Sequence, residues 1–169
     1  MEKVVIRKIK KGDEKDLLEM FNSLVTEKTM TVATKKLTLK QEKEFVDKAL
    51  EGAKNKKQLD LVLEVNGKVL GTAGVRIESD ITGHVGNFGI LMKKEARGRG
   101  LGFKLSKATI SEAKKRLKVK IVRLNVSHRN KTAVGLYKKL GFKEEGVIKK
   151  GLQFFGRYDD EIIMVNYLA

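Results

Sequence analysis

The densest chemical signal in the chain is the run Lys94-Glu95-Ala96-Arg97-Gly98-Arg99-Gly100-Leu101-Gly102-Phe103. Three glycines stand at alternate positions, two arginines flank the first of them, and a helical apolar pattern follows. Glycine lets the backbone turn successive N–H groups toward one point and lets a ligand approach with no Cβ in the way. Such amides, added to the positive end of a helix dipole, make an anion site suited to a diphosphate. Arg97 and Arg99 can add charge-assisted hydrogen bonds. A glycine-rich turn that binds nothing has the same letters, and patterns of this kind match by accident often. The run is not a Walker A loop, which needs Gly-Lys-Ser/Thr. Nor is it a dinucleotide fingerprint, which follows the first strand of a βαβ unit.

Composition narrows the chemistry further. The 169 residues fit one domain, taken as residues 1–169, with a core of ordinary size. No apolar run is long enough to span a membrane, and the charged N-terminus does not read as a signal peptide. Cysteine is absent and there are two histidines, so no metal site is expected. These features suit a cytoplasmic protein. The formal charge of +16 attracts anions such as nucleic acid or a phosphate-rich cofactor. Aromatics make up only 6%, with no basic stripe interleaved with stacking side chains, so scattered solubilising lysines explain most of that charge.

Periodicity supplies the elements that must position the glycine run. Val4 to Ile9 reads as a strand, and Asp13 as the N-cap of a helix carrying Leu17, Leu18, Phe21 and Leu24. Thr29 to Lys36 reads as a loop, and Thr38 with Gln41 as a capping box opening a second helix. Leu59 to Val65 and Val69 to Ile77 flank Asn66-Gly67, the favoured pair for a type I′ hairpin. Then follow a strand at Gly83 to Met92, a helix from about Gly98 to Leu117, and a strand at Lys120 to Val126. A short helix at Asn130 to Leu140 and strands near 142–149 and Asp160 to Tyr167 complete the chain. The order β-α-α-β-β-β-α-β-α-β-β predicts an α/β chain with a mixed sheet covered on both faces. The long helix shows two apolar stripes, Leu101, Leu105, Ala108 against Phe103, Ile110, Ala113, Leu117, which predicts contact on both sides, the second with another element or a homodimer partner.

A second run fixes the resemblance. Ser127-His128-Arg129-Asn130-Lys131-Thr132-Ala133-Val134-Gly135-Leu136-Tyr137-Lys138-Lys139-Leu140-Gly141-Phe142, taken with Arg97-x-x-Gly100-x-Gly102, resembles the GNAT N-acetyltransferases. The shared pattern is a strand, an Asn opening a short helix, then Ala, Leu-Tyr and Gly-Phe. The resemblance is sharp over residues 83–142, and the order of elements matches throughout. It implies the GNAT fold, with a mostly antiparallel sheet, and acetyl-CoA (coenzyme A) as cofactor. The pantetheine arm would lie against Ile90, Leu91 and Met92, between strands that part, with the diphosphate on the amides of Arg97, Gly98, Arg99, Gly100, Leu101, Gly102 and Phe103. Asn130, Ala133 and Tyr137 match positions that touch the cofactor, and Tyr137 matches the acid that protonates the departing thiolate. A backbone N–H near Leu91 would serve the oxyanion.

The amine that attacks must first lose a proton. Many relatives carry a glutamate in the strand before the loop, whereas this chain has no carboxylate between Thr82 and Met92. His84, His128 and Glu27 stand as alternative bases, and Asn87 as a residue that orients water. The run Gly156-Arg157-Tyr158-Asp159-Asp160-Glu161-Ile162-Ile163-Met164 resembles the branch that includes amino-acid and protein N-terminal acetyltransferases, which places Arg157, Tyr158 and Asp159 beside the acceptor. A charged strand opening would read the same way. The acceptor implied is a primary amine, either a small molecule or a protein N-terminus. The net positive charge ranks polyamines lower. A basic nucleic-acid or ribosome-associated module, and a catalytically weak acyl-CoA binder, are the rival readings of the same scaffold.

Overall fold

A computed structural model describes residues 2–30 and 34–169. Its elements follow the expected order: β1 (Val4–Lys8), α1 (Glu14–Thr26), α2 (Leu39–Lys54), β2 (Gln58–Val65), β3 (Lys68–Arg76), β4 (Val85–Met92), a 3₁₀ turn (Lys94–Ala96), α3 (Leu101–Leu117), β5 (Ile121–Ser127), α4 (Lys131–Lys139), β6 (Lys143–Phe154) and β7 (Arg157–Tyr167). The last two strands run longer than the sequence pattern suggests because they form one hairpin, which continues through bulges around residues 144–146 and 148–152. Part of the loop expected over Thr29 to Lys36 lies outside the described residues. No described helix is long and apolar enough to cross a membrane.

All seven strands join one sheet in the order β1-β2-β3-β4-β5-β7-β6. Every neighbouring pair is antiparallel except β4 and β5, which are parallel. Alternate side chains of the strands face opposite cores. Leu59, Leu61 and Leu63 of β2, Phe88 of β4, Leu124 and Val126 of β5, and Ile162 and Met164 of β7 pack with α3 and α4. Val62 and Val69 point the other way, to Leu17 and Met20 of α1 and Val46 and Ala49 of α2. The helices α1 and α2 therefore cover the β1–β3 half of one face, and α3 and α4 lie on the other.

Local chemistry explains the ends. Thr38 and Gln41 form the expected reciprocal capping box. Asn66 and Gly67 both adopt positive φ, 50° and 83°, as a type I′ turn requires. Asp13 departs from expectation. It stands at the N-cap position of α1, but its backbone is helical and its side chain caps nothing. Instead it accepts from Arg7 Nη1 and Nη2 at 2.9 and 2.8 Å and from the Lys10 amide at 2.9 Å. Burial alone would raise the Asp13 carboxyl, but Arg7 and that amide outweigh burial and hold it below its ordinary value. A carboxyl depressed on folding contributes stability that is present above its unfolded value and lost as pH falls through the folded one. Arg7→Ala leaves the buried carboxylate unpaired and should cost about 3 kcal/mol at neutral pH. Acid unfolding followed by circular dichroism should then begin at higher pH than in the wild type.

The two apolar stripes expected on α3 are one broad face. Leu101, Leu105, Ser106, Thr109, Ile110, Ala113 and Leu117 are all buried. Ser106 and Thr109 lie well inside that face, so apolar letters mark it only in part. The helix pattern thus gives no reason to invoke a second subunit. Thr109 Oγ1 donates to Leu105 O at 2.8 Å, while Ser106 Oγ is the one buried side-chain oxygen or nitrogen without a partner among the described residues. Ser106→Ala removes an unpaired hydroxyl and improves helix propensity, so stability should rise by about 1 kcal/mol. A denaturant titration in which the midpoint falls would show that the hydroxyl is satisfied.

Candidate functional site

The parallel pairing of β4 with β5 is short. It joins Val85 to Ile121, Gly86 to Val122 and Asn87 to Arg123, and goes no further. On their outer sides both strands stay paired, β4 to β3 as far as Met92 and β5 to β7 as far as Ser127. The sheet therefore opens between Phe88–Met92 and Leu124–Ser127, leaving a slot with main-chain edges. His84 O accepts the amides of Lys120 and Ile121, at 2.8 and 3.1 Å, while Lys93 N donates to Leu70 O at 2.8 Å. Alternation then turns the N–H and C=O of Ile90 and Met92 toward the slot, and those of Gly89 and Leu91 toward β3. Of the amides in the region of Leu91, those of Ile90 and Met92 are the ones that face the slot. Leu91 itself is committed to the sheet.

The slot opens onto the glycine run. Gly98 and Gly100 have φ of 71° and 72°, the left-handed region that a side chain strains, and Gly100 caps α3 with no side-chain bond. The amides of Leu101, Gly102 and Phe103 open a 17-residue helix and have no intrahelical acceptor. Gly102 sits where three elements meet: a Cβ built there would lie 3.9 Å from Ile90 Cδ1 and Leu136 Cδ2 and 4.0 Å from Met92 Cγ. The arginines of the run do something not expected. Arg97 folds back, donating to Met92 O and to Glu27 Oε2, both at 2.9 Å. Arg99 pairs with Glu2 and donates to Glu95 O. A phosphate here would first meet main-chain amides, with guanidinium groups released from their carboxylates second.

On the α3–α4 face of the slot stands Tyr137. Its ring meets Phe88, the first β4 residue past the parallel pairing, edge to face at 6.2 Å, and Phe142 at 5.9 Å. The hydroxyl has no hydrogen-bond partner among the described residues. Burial pushes its pKa up to about 12, so the phenol is fully protonated at neutral pH. It can donate a proton and cannot act as a base. Asn130 caps α4 through its side chain, which accepts from Ala133 N at 3.2 Å. Both residues therefore build the short helix that carries Tyr137.

The candidate bases are not brought together. His84 precedes β4 at the end away from the slot, seven residues or roughly 23 Å of extended chain from Leu91. His128 is exposed on the β5–α4 loop, with Nε2 3.1 Å from Lys131 Nζ. Glu27 is taken by Arg97. Asn87 lies at the last parallel pair, where its Oδ1 accepts from Arg123 Nε at 2.6 Å. Of the C-terminal trio, Arg157 and Tyr158 are exposed near the hairpin turn. Asp159 is buried and saturated: it accepts from Ser127 Oγ and from the amides of Arg129 and Asp160, and pairs with Arg129 Nε at 3.3 Å. It pins the end of β5 to the turn before α4. Two residues on, and on the same face by strand alternation, sequence reading passed over Glu161, whose Oε1 accepts from Asn125 Nδ2 at 2.8 Å. The period-two pattern of β7 was the signal that pointed to it.

Residues 17–142 match the model of the Acetyltransferase (GNAT) family. Over 102 residues, 57% of this chain, the sequence is 37% identical to an uncharacterized N-acetyltransferase of Methanocaldococcus jannaschii, and 44% of that protein is covered. Over 107 residues, 63% of this chain, it is 31% identical to the L-amino acid N-acetyltransferase AaaT of Escherichia coli, covering 66% of that protein. The match thus spans about half to two-thirds of the length of these relatives. Among solved structures, the ribosomal-protein-alanine N-acetyltransferase of Brucella melitensis superposes with a TM-score of 0.87 at 27% identity, covering 97% of this chain and 99% of that one.

Proposed function

The chain belongs to the GNAT family of acetyltransferases, and from that premise we propose that it moves an acetyl group from acetyl-CoA to a primary amine by direct attack within a ternary complex. The observation that carries this reading is the slot itself. Two parallel strands part after three residue pairs, and the opening leads to a glycine-bearing helix entrance. The main-chain groups of Ile90 and the amide of Met92 that face the slot suit an extended arm that carries amides, while Met92 O is held by Arg97, and the amides of the α3 entrance suit the diphosphate at its end. Acetyl-CoA, when bound, supplies an activated carbonyl and a thiolate leaving group. Tyr137, packed against Phe88 beside the slot, would hand its proton to that sulfur. A buried thiolate also rises in basicity, which narrows the gap to a phenol near 12. Ile90 or Met92 supplies the amide facing a developing oxyanion.

The acceptor we favour is an α-amino group, on a free amino acid or a protein N-terminus, or a small amine. The E. coli relative acts on L-amino acids and the B. melitensis neighbour on a ribosomal-protein alanine, and both are α-amines. Calorimetric titration with acetyl-CoA should give one saturable site per chain. Thiol release should then exceed background with at least one member of a panel of L-amino acids and short peptide amides. A flat titration would remove the acetyltransferase reading altogether. Saturable binding with background turnover across the panel would leave an acyl-CoA binder.

A further inference from the structure

The slot has a second face, turned away from Tyr137, and strand alternation lines it with polar groups. Asn87 and Gly89 of β4, Arg123 and Asn125 of β5, and Asp159 and Glu161 of β7 share it, while Phe88, Leu124, Val126 and Ile162 point to the core behind. Four carboxylates stand on or beside this face, and three are occupied by cations. Glu78 is bound by Arg123, Nη2 to Oε2 at 3.1 Å. Glu27 is bound by Arg97 at 2.9 Å. Asp159 is bound by Arg129 and saturated by amides. Glu161 alone of the four has no cation among the described residues, and its one side-chain partner is Asn125.

Register sets where that carboxylate lies. Asn87 stands opposite Arg123 in the last parallel pair, so continuing both strands brings Asn125 level with Gly89. Glu161 of β7 stands opposite Ser127, and the Asn125 amide holds its carboxylate against β5, on the same face as Gly89 and one strand from the slot. A Cβ at Gly89 would meet nothing within 4 Å, so this face is open at β4. In a chain of formal charge +16, an unpaired carboxylate on this face is a local attractor for a cation. We propose that Glu161, held by Asn125, receives the ammonium group of the acceptor and takes its proton. This assignment rests on the acetyltransferase reading and supplies from β7 the carboxylate that β4 lacks.

The step balances without a further reactant. An amine of pKa about 8–10 arrives largely as the ammonium ion. One N–H proton passes to the Glu161 carboxylate, directly or through a water. The freed lone pair forms the C–N bond at the thioester carbonyl carbon. The C–S bond then breaks with its electron pair leaving on sulfur, and sulfur takes the Tyr137 proton. The second proton shed by nitrogen restores Tyr137, and Glu161 returns its proton to solvent. Acid and base thus act from opposite faces of one opening in the sheet.

The test compares wild type, Glu161→Gln, Glu161→Asp and Asn125→Ala with acetyl-CoA and the best L-amino acid or peptide amide of the panel. For Glu161→Gln, kcat/KM should fall roughly a hundredfold near neutral pH. The deficit should shrink to less than about fivefold near pH 10, where the amine is already neutral. Asn125→Ala should show a smaller loss, and Glu161→Asp should recover part of the wild-type pH profile. The acetyl-CoA Kd and the melting temperature of Glu161→Gln should match wild type. A deficit that stays constant with pH, or turnover unchanged at every pH, overturns the role of Glu161 and leaves the acetyltransferase reading standing. A wild-type chain that fails to bind acetyl-CoA overturns both.

Discussion

Replacing Gly98 and Gly100 together by valine should weaken acetyl-CoA binding by at least roughly a hundredfold while the fold persists. Both residues adopt positive φ, near 70°, where a β-branched side chain is strained by about 1–2 kcal/mol. A Cβ at either position would meet no atom within 4 Å beyond its chain neighbours, so the change acts chiefly through the backbone. Relief of the strain rotates the peptides at the mouth of α3 and disperses the amides from Gly98 to Phe103. A hydrogen bond to a charged group is worth about 1.5–3 kcal/mol, and the loss of two accounts for the expected factor. Calorimetry reads the affinity, and far-ultraviolet circular dichroism confirms that the helices remain. An affinity within threefold of wild type would place the diphosphate elsewhere. Alanine at Arg97 or Arg99 should cost much less, since each guanidinium is already engaged with a carboxylate, Glu27 or Glu2.

Tyr137→Phe should lower kcat on the order of a hundredfold and leave the acetyl-CoA Kd within about twofold. The phenyl ring keeps its packing between Phe88 and Phe142, and the hydroxyl has no hydrogen bond to lose among the described residues. Stability should therefore hardly move, which separates a catalytic hydroxyl from a structural one. With the phenol pushed up to about 12, no alkaline limb from this residue should appear in the kcat profile across the working range. Unchanged kcat would make Tyr137 a core residue whose hydroxyl merely reaches solvent. Loss of Kd and kcat together would mean that its ring shapes the cofactor groove.

The order of eleven helices and strands, the capping box at Thr38, the hairpin at Asn66-Gly67 and the glycine run are all legible in the sequence. Each is decided within a few residues, by periodicity, by a side chain that reaches its own backbone, or by a φ that only certain residues tolerate. The α3 face was only half legible, because Ser106 and Thr109 sit well inside it and hydropathy does not register a polar residue buried by its neighbours. Asp13 carried the letter of a cap, but a guanidinium from β1 competed for its carboxylate and won.

What the chain alone determined, then, is the scaffold and the glycine-bearing entrance of α3, because those depend on local backbone geometry. The tertiary structure decided where the sheet parts, which main-chain groups face the opening, and which carboxylates are free. Those properties arise from pairing between strands distant in sequence, where β5 leaves β4 and follows β7 instead. Glu27 and Asp159 are neutralised by arginines many positions away, while Glu161 is left with an amide for company. Charge that is free to act is a property of neighbours in space, and the linear order of residues does not contain it.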